Sequence, residues 1–186
     1  SPELKKQLRQ KGASAPVLEA EVYMPMINSV VLKDKAVIAA CDRFETETFT
    51  MTVSDNALVS YFDVTCSTGE LNVSKNAQAT GTVSVTSKMY VNASNSAQVS
   101  LTQNGGNAFV SQGNSAYVDF KATLNTLEIE SSGGSESHIS GTASLLKVTG
   151  AGLSRVDAEL LEAYRVKGYS ANSGRPDDTE NRKTDR

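Results

Sequence analysis

The 186-residue sequence has no tryptophan, one histidine, two cysteines and four prolines. Each shortage excludes something. Two cysteines cannot staple a disulfide-rich scaffold. No apolar run approaches the roughly 18 residues of a membrane-crossing helix, so no direct membrane insertion is expected. No basic excess is present either: 18 Lys and Arg against 21 Asp and Glu leave a net charge of −3. Nucleic-acid binders usually carry such an excess, so none is expected as a partner. No His/Cys/Asp/Glu spacing matches a zinc site, and no Gly-rich loop opens a helix to cradle phosphate. The sequence therefore predicts no metal and no cofactor. Simple disorder is excluded as well, because Val, Leu, Ile and aromatics recur throughout.

What is abundant is small and polar. Ser (23), Thr (16), Asn (12) and Gly (13) make up 64 residues, about a third of the chain. The β-branched and Ser/Thr runs point to an all-β domain rather than a helical bundle.

These residues recur with a period. A small residue followed by an alternating apolar pattern appears at Ala36, Ala57, Ala77, Ala97 and Ala116, and again with serine at Ser137 and Ser154. The steps are 21, 20, 20, 19, 21 and 17. A second motif (apolar, any, Val or Ile) closes at Val53, Val73, Val91, Val110, Ile129, Val148 and Val166, in steps of 20, 18, 19, 19, 19 and 18. Both motifs alternate with period two, as half-buried strands do. Turn formers lie between them: Lys75-Asn76, Asn95-Ser96, Gln112-Gly113-Asn114, Ser132-Gly133-Gly134 and Gly150-Ala151-Gly152. Two phased series predict a single-stranded β-solenoid, or β-helix, of about seven coils of roughly 19–20 residues, stacked at about 4.8 Å. A β-sandwich is the structural alternative, but it does not need residue types to return in register.

The ends differ from the middle. Ser1-Pro2-Glu3 is a helix-start signal, Leu4 and Leu8 share one face, and Gly12 ends the stretch. Residues 1–30 are expected to form a short capping helix and lead-in strand, residues 31–170 the solenoid, and residues 171–186 a polar tail. Ser1 in place of an initiator Met reads as a start after a processed or engineered boundary.

Outward positions should stack into ladders. Along one strand the expected order is Asn72, Tyr90, Phe109, Glu128, Lys147, Arg165, and two residues on it is Ser74, Asn92, Ser111, Glu130, Thr149, Lys167. Along the other it is Gln78, Gln98, Tyr117, His138, Arg155. Neighbours in such ladders are cross-strand pairs, with Tyr90 over Phe109 and Glu128 over Lys147 as examples. Tyr90, Phe109 and Tyr117 are the candidate ligand-binding residues, since carbohydrate sites use aromatic faces beside amides. No catalytic residue is expected. His138, with Glu136 two residues earlier, reads more readily as an exposed ladder residue than as an oriented base. Glu128, Glu130 and Glu136 near Lys147 are the residues a polysaccharide-degrading solenoid would need. Cys41 and Cys66 are 25 residues apart. That is not a multiple of the period, so they are expected as separate thiols, Cys66 buried on Val64-Thr65-Cys66.

Over residues 20–170 the chain resembles the bacterial family called putative auto-transporter adhesin, head GIN domain. The resemblance is carried by Leu146-Lys147-Val148 leading to Gly150-Ala151-Gly152-Leu153-Ser154-Arg155-Val156-Asp157. Ser132-Gly133-Gly134-Ser135 and Asn95-Ser96-Ala97 are its nearest equivalents, and Val22-Tyr23-Met24-Pro25 leading to Ser29-Val30-Val31-Leu32 is similar to the family's entry. The resemblance implies a β-helical domain, exported and often lipid-anchored in its precursor. The expected function is a non-catalytic cell-surface or envelope module, with a glycan or a surface protein as partner. A polysaccharide-binding or polysaccharide-degrading solenoid and a self-assembling scaffold are the alternatives.

Overall fold

A computed structural model describes residues 20–24 and 26–170. The expected helix in residues 1–12 and the expected tail in residues 171–186 lie outside the described residues. Nine strands follow in chain order: β1 (Ser29–Leu32), β2 (Val37–Val53), β3 (Leu58–Ser74), β4 (Gln78–Ser94), β5 (Gln98–Asn104), β6 (Asn107–Gly113), β7 (Tyr117–Ser131), β8 (Glu136–Gly150) and β9 (Arg155–Ser170). Every pairing is parallel, and each coil lies on the next. The protein is a β-solenoid of about seven turns.

Each coil leaves a tight turn along an outgoing arm, bends, and comes back along a returning arm to the next turn. β2, β3, β4, β7, β8 and β9 each make a whole coil. The fourth coil is divided: β5 is its outgoing arm and β6 its returning arm. Gly105 and Gly106 separate them with φ of 80° and 64°, and both would drive a Cβ to within 2.7 Å of a backbone oxygen of β4 or of the residues that follow its bend. Gln103, fully buried, closes that corner by donating from Nε2 to the carbonyls of Gly105 (3.0 Å) and Asn107 (3.1 Å).

Strand alternation builds the core. Met51, Leu71, Val91, Val110 and Ile129 stand in register on successive returning arms and are all buried. Val59, Ala79, Val99 and Val118 do the same on the outgoing arms. Side chains from the two arms meet in one interior, as Phe49 and Phe62 do with ring centroids 6.0 Å apart. A fully buried Val, Leu, Ile, Met or Phe side chain contributes about 1.5–3 kcal/mol, so the two columns, meeting in one interior, hold successive coils together along the rod.

The turns stack as well. Asp34, Asp55, Lys75, Asn95 and Asn114 all take positive φ, from 54° to 69°, and Gly133 (67°) and Gly152 (72°) continue the series. Ala57, Ala77, Ala97 and Ala116 close their turns with a backbone bond of 3.3 Å to the residue three earlier. Their methyl groups are buried where neighbouring coils leave little room.

The register sharpens the period read from sequence. The closing residue of the sixth turn is Ser135, not Ser137. Ser135 makes the equivalent turn bond to Ser132 (3.4 Å), whereas Ser137 pairs with Val118 on the outgoing arm. The steps after Ala116 are then 19 and 19. The Val/Ile series slips likewise: Val91 lies beside Leu71 rather than Val73, and Val166 beside Leu146 rather than Val148. Each slip is two residues, which keeps the same face inward and leaves the hydrophobic pattern intact.

Candidate functional site

The outward ladders take shape on the two arms. On the returning arms the order is Thr50, Glu70, Tyr90, Phe109, Glu128, Lys147, Lys167. Glu70 and Lys167 occupy the places expected for Asn72 and Arg165. The next row runs Thr52, Asn72, Asn92, Ser111, Glu130, Thr149, so Ser74 and Lys167 do not belong to it. The same two-residue slips cause both corrections. On the outgoing arms Glu136 follows Tyr117, and His138 lies between Asp119 and Asp157. His138 had been expected in the place of Glu136.

Tyr90 and Phe109 come together, with ring centroids 6.3 Å apart and planes tilted by 59°. Lys88, two residues before Tyr90 and therefore on the same face, places Nζ 4.4 Å from the Tyr90 centroid and 5.6 Å from that of Phe109. The alternation that put Tyr90 outward also put Lys88 outward, yet sequence reasoning passed over it. Beside the rings, Asn92 Nδ2 donates to Asn72 Oδ1 (2.8 Å) and Asn72 Nδ2 donates to Glu70 Oε1 (2.9 Å). This relay fixes the carboxylate that stands next to Tyr90 in the ladder. On the other side Lys147 Nζ lies 3.5 Å from Glu128 Oε2. That pair is half-buried, with side chains 39% and 40% exposed, so solvent still screens it and it contributes little to stability.

Tyr117 lies on an outgoing arm, across a turn from Phe109. Its ring is 5.7 Å from that of His138. Partial desolvation, then the carboxylates of Asp119 and Glu136, push its phenol above the ordinary tyrosine value. His138 has Nε2 3.5 Å from Glu136 Oε1 and Nδ1 3.7 Å from Asp157 Oδ2. Glu128 and Glu130 belong to a returning arm and Glu136 to an outgoing one, so the three acids do not line one row. Among the described residues, no group of three or more His, Cys, Asp or Glu is placed to hold a metal ion. Cys66 is a free, buried thiol, and burial raises its pKa.

The family model described as putative auto-transporter adhesin, head GIN domain matches residues 51–176. The chain belongs to this family. No curated protein and no solved structure gives a match. Membership in the head GIN family and the β-solenoid fold together fit a surface adhesin-like module. The family's description implies an extracytoplasmic or surface location and suggests a non-enzymatic role. No helix among the described residues is long and apolar enough to cross a membrane.

Proposed function

We propose that this chain is an exported, non-catalytic surface module that binds a glycan or a surface protein through the outer face of its returning arms. In the precursor, a lipid anchor would hold it at the envelope. One observation carries the reading: Tyr90 and Phe109 meet on an outward ladder, flanked by Asn72, Asn92, Glu70 and Glu128. A rigid solenoid face presents such side chains at fixed spacing, which lowers the ordering cost of binding. Tyr117 belongs to a separate surface patch on the outgoing arms.

Glycan and matrix-protein arrays probed with the folded chain test this. Tyr90→Ala and Phe109→Ala should abolish the signal, and Tyr117→Ala should preserve it. Absence of signal on every glycan and every matrix protein would count against adhesion. Turnover of any polysaccharide would overturn the non-catalytic part. Light scattering after size exclusion should give a monomer, and an open-ended series of larger species would revive the self-assembling scaffold.

A further inference from the structure

We propose that the corner formed by Tyr90 and Phe109 recognises an organic ammonium group on the partner, and that Lys88 is its resident competitor. The inference rests on the reading of this face as the contact surface and names the chemistry it takes. Two tilted rings direct their electron-rich faces toward one point, and such faces attract cations. The protein's own ammonium already occupies that point, within 4.4 Å of one ring centroid and 5.6 Å of the other.

The charges along the ladder agree. Glu70 is the register partner of Tyr90 and Glu128 that of Phe109, so a carboxylate stands on each side of the ring pair at about 4.8 Å per step. Glu70 is held there by the Asn92–Asn72 relay. Glu130 adds a third acid in the adjoining row. Glu128 shares its charge with Lys147 (3.5 Å), yet the three acids Glu70, Glu128 and Glu130 still outnumber Lys88 and Lys147, which favours a cation and opposes a phosphate or a carboxylate. Lys88 is half-buried on a flexible stem and strongly hydrated at its head, so it can swing to water when a less hydrated ammonium arrives. A choline head group, an amine-bearing sugar and a lysine side chain share this chemistry.

Amide NMR titration of the full chain at constant ionic strength tests it, with tetramethylammonium chloride as probe and tert-butanol as its uncharged counterpart. Tetramethylammonium should shift the amides around Tyr90 and Phe109, and tert-butanol should not. Lys88→Met keeps the stem and removes the charge, and should tighten tetramethylammonium binding about threefold or more. Tyr90→Leu and Phe109→Leu should abolish binding, with thermal melts confirming that the variants fold. Choline, lysine methyl ester, and glucosamine against N-acetylglucosamine then distinguish the sources. Equal shifts with tert-butanol, or unchanged affinity in Lys88→Met, overturn the proposal. A neutral glycan that binds through Tyr90 and Phe109 but ignores Lys88→Met would refute the ammonium and leave the contact face standing.

Discussion

Gln112 Nε2 donates to Ser137 Oγ at 3.0 Å, tying the returning arm of the fourth coil to the outgoing arm of the sixth through the interior. The same nitrogen donates to Ser131 Oγ (2.9 Å). Ser131 lies 3.0 Å from Ser135 Oγ, which donates to the Ser132 carbonyl (2.8 Å). The direction of that relay fixes the amide: Ser135 spends its proton on the carbonyl, Ser131 spends its own on Ser135, and Ser131 therefore needs a donor. Gln112 Oε1 is left buried without a partner.

Gln112→Ala should cost about 1–3 kcal/mol, because it strands the buried Ser137 hydroxyl and removes the donor to Ser131. Ser137→Ala added to it should cost less than it does alone. Urea unfolding of the four members of this double-mutant cycle measures the coupling. Strictly additive losses would show that the two side chains do not act together.

Gly141 and Gly168 make a contrast. A Cβ on Gly141 would lie 2.0 Å from the Ala122 carbonyl oxygen at a φ of 101°, whereas one on Gly168 meets nothing within 4 Å. Gly141→Ala should lose about 3 kcal/mol or more through strain and forced displacement. Gly168→Ala should be neutral or gain up to about 1 kcal/mol. Thermal melts of the two variants check this.

Asp55 and Lys75 form an ion pair between stacked turns. The hydrogen bond from Lys75, then that from Ser54, hold the Asp55 carboxyl below its ordinary value. A depressed carboxylate stabilises the fold above its unfolded pKa of about 3.9, and the contribution is lost as pH falls through the folded value. Asp55→Asn should flatten the acid limb of the stability curve below about pH 4 and leave the slope near neutrality unchanged. Urea midpoints across pH 2–7 read it. An unaltered acid limb would remove Asp55 from the account.

Cys66 should react with an alkylating agent only when the rod opens, since burial both blocks access and keeps the thiol protonated. Its alkylation rate should rise with urea in step with unfolding. Fast labelling in native buffer would contradict the placement.

The repeat was legible because a solenoid places equivalent residues directly over one another. Ala57, Ala77, Ala97 and Ala116 must stay small, and Tyr90 must fall beside Phe109. The two-residue slips at Ser135, Leu71 and Leu146 were not legible. A slip of two preserves inward and outward faces, so the hydrophobic pattern is blind to it, and only the hydrogen-bonded ladder chooses. The Gln112 relay was hidden for a related reason, since polar residues at inward positions reveal their partners only once both arms close on one core.

The shortages that mark this sequence therefore decided the class of protein. Without a basic stripe, a metal-ligand spacing or a long apolar run, and with small residues returning about every 20 positions, alternation and stacking leave a parallel solenoid as the consistent fold. The tertiary structure decided what lies over what: Glu70 beside Tyr90, Lys88 above the rings, Tyr117 on the other arm. Alternation fixes which face a side chain takes, whereas its neighbour in the next coil depends on turn geometry and on hydrogen bonds between residues some 20 positions apart.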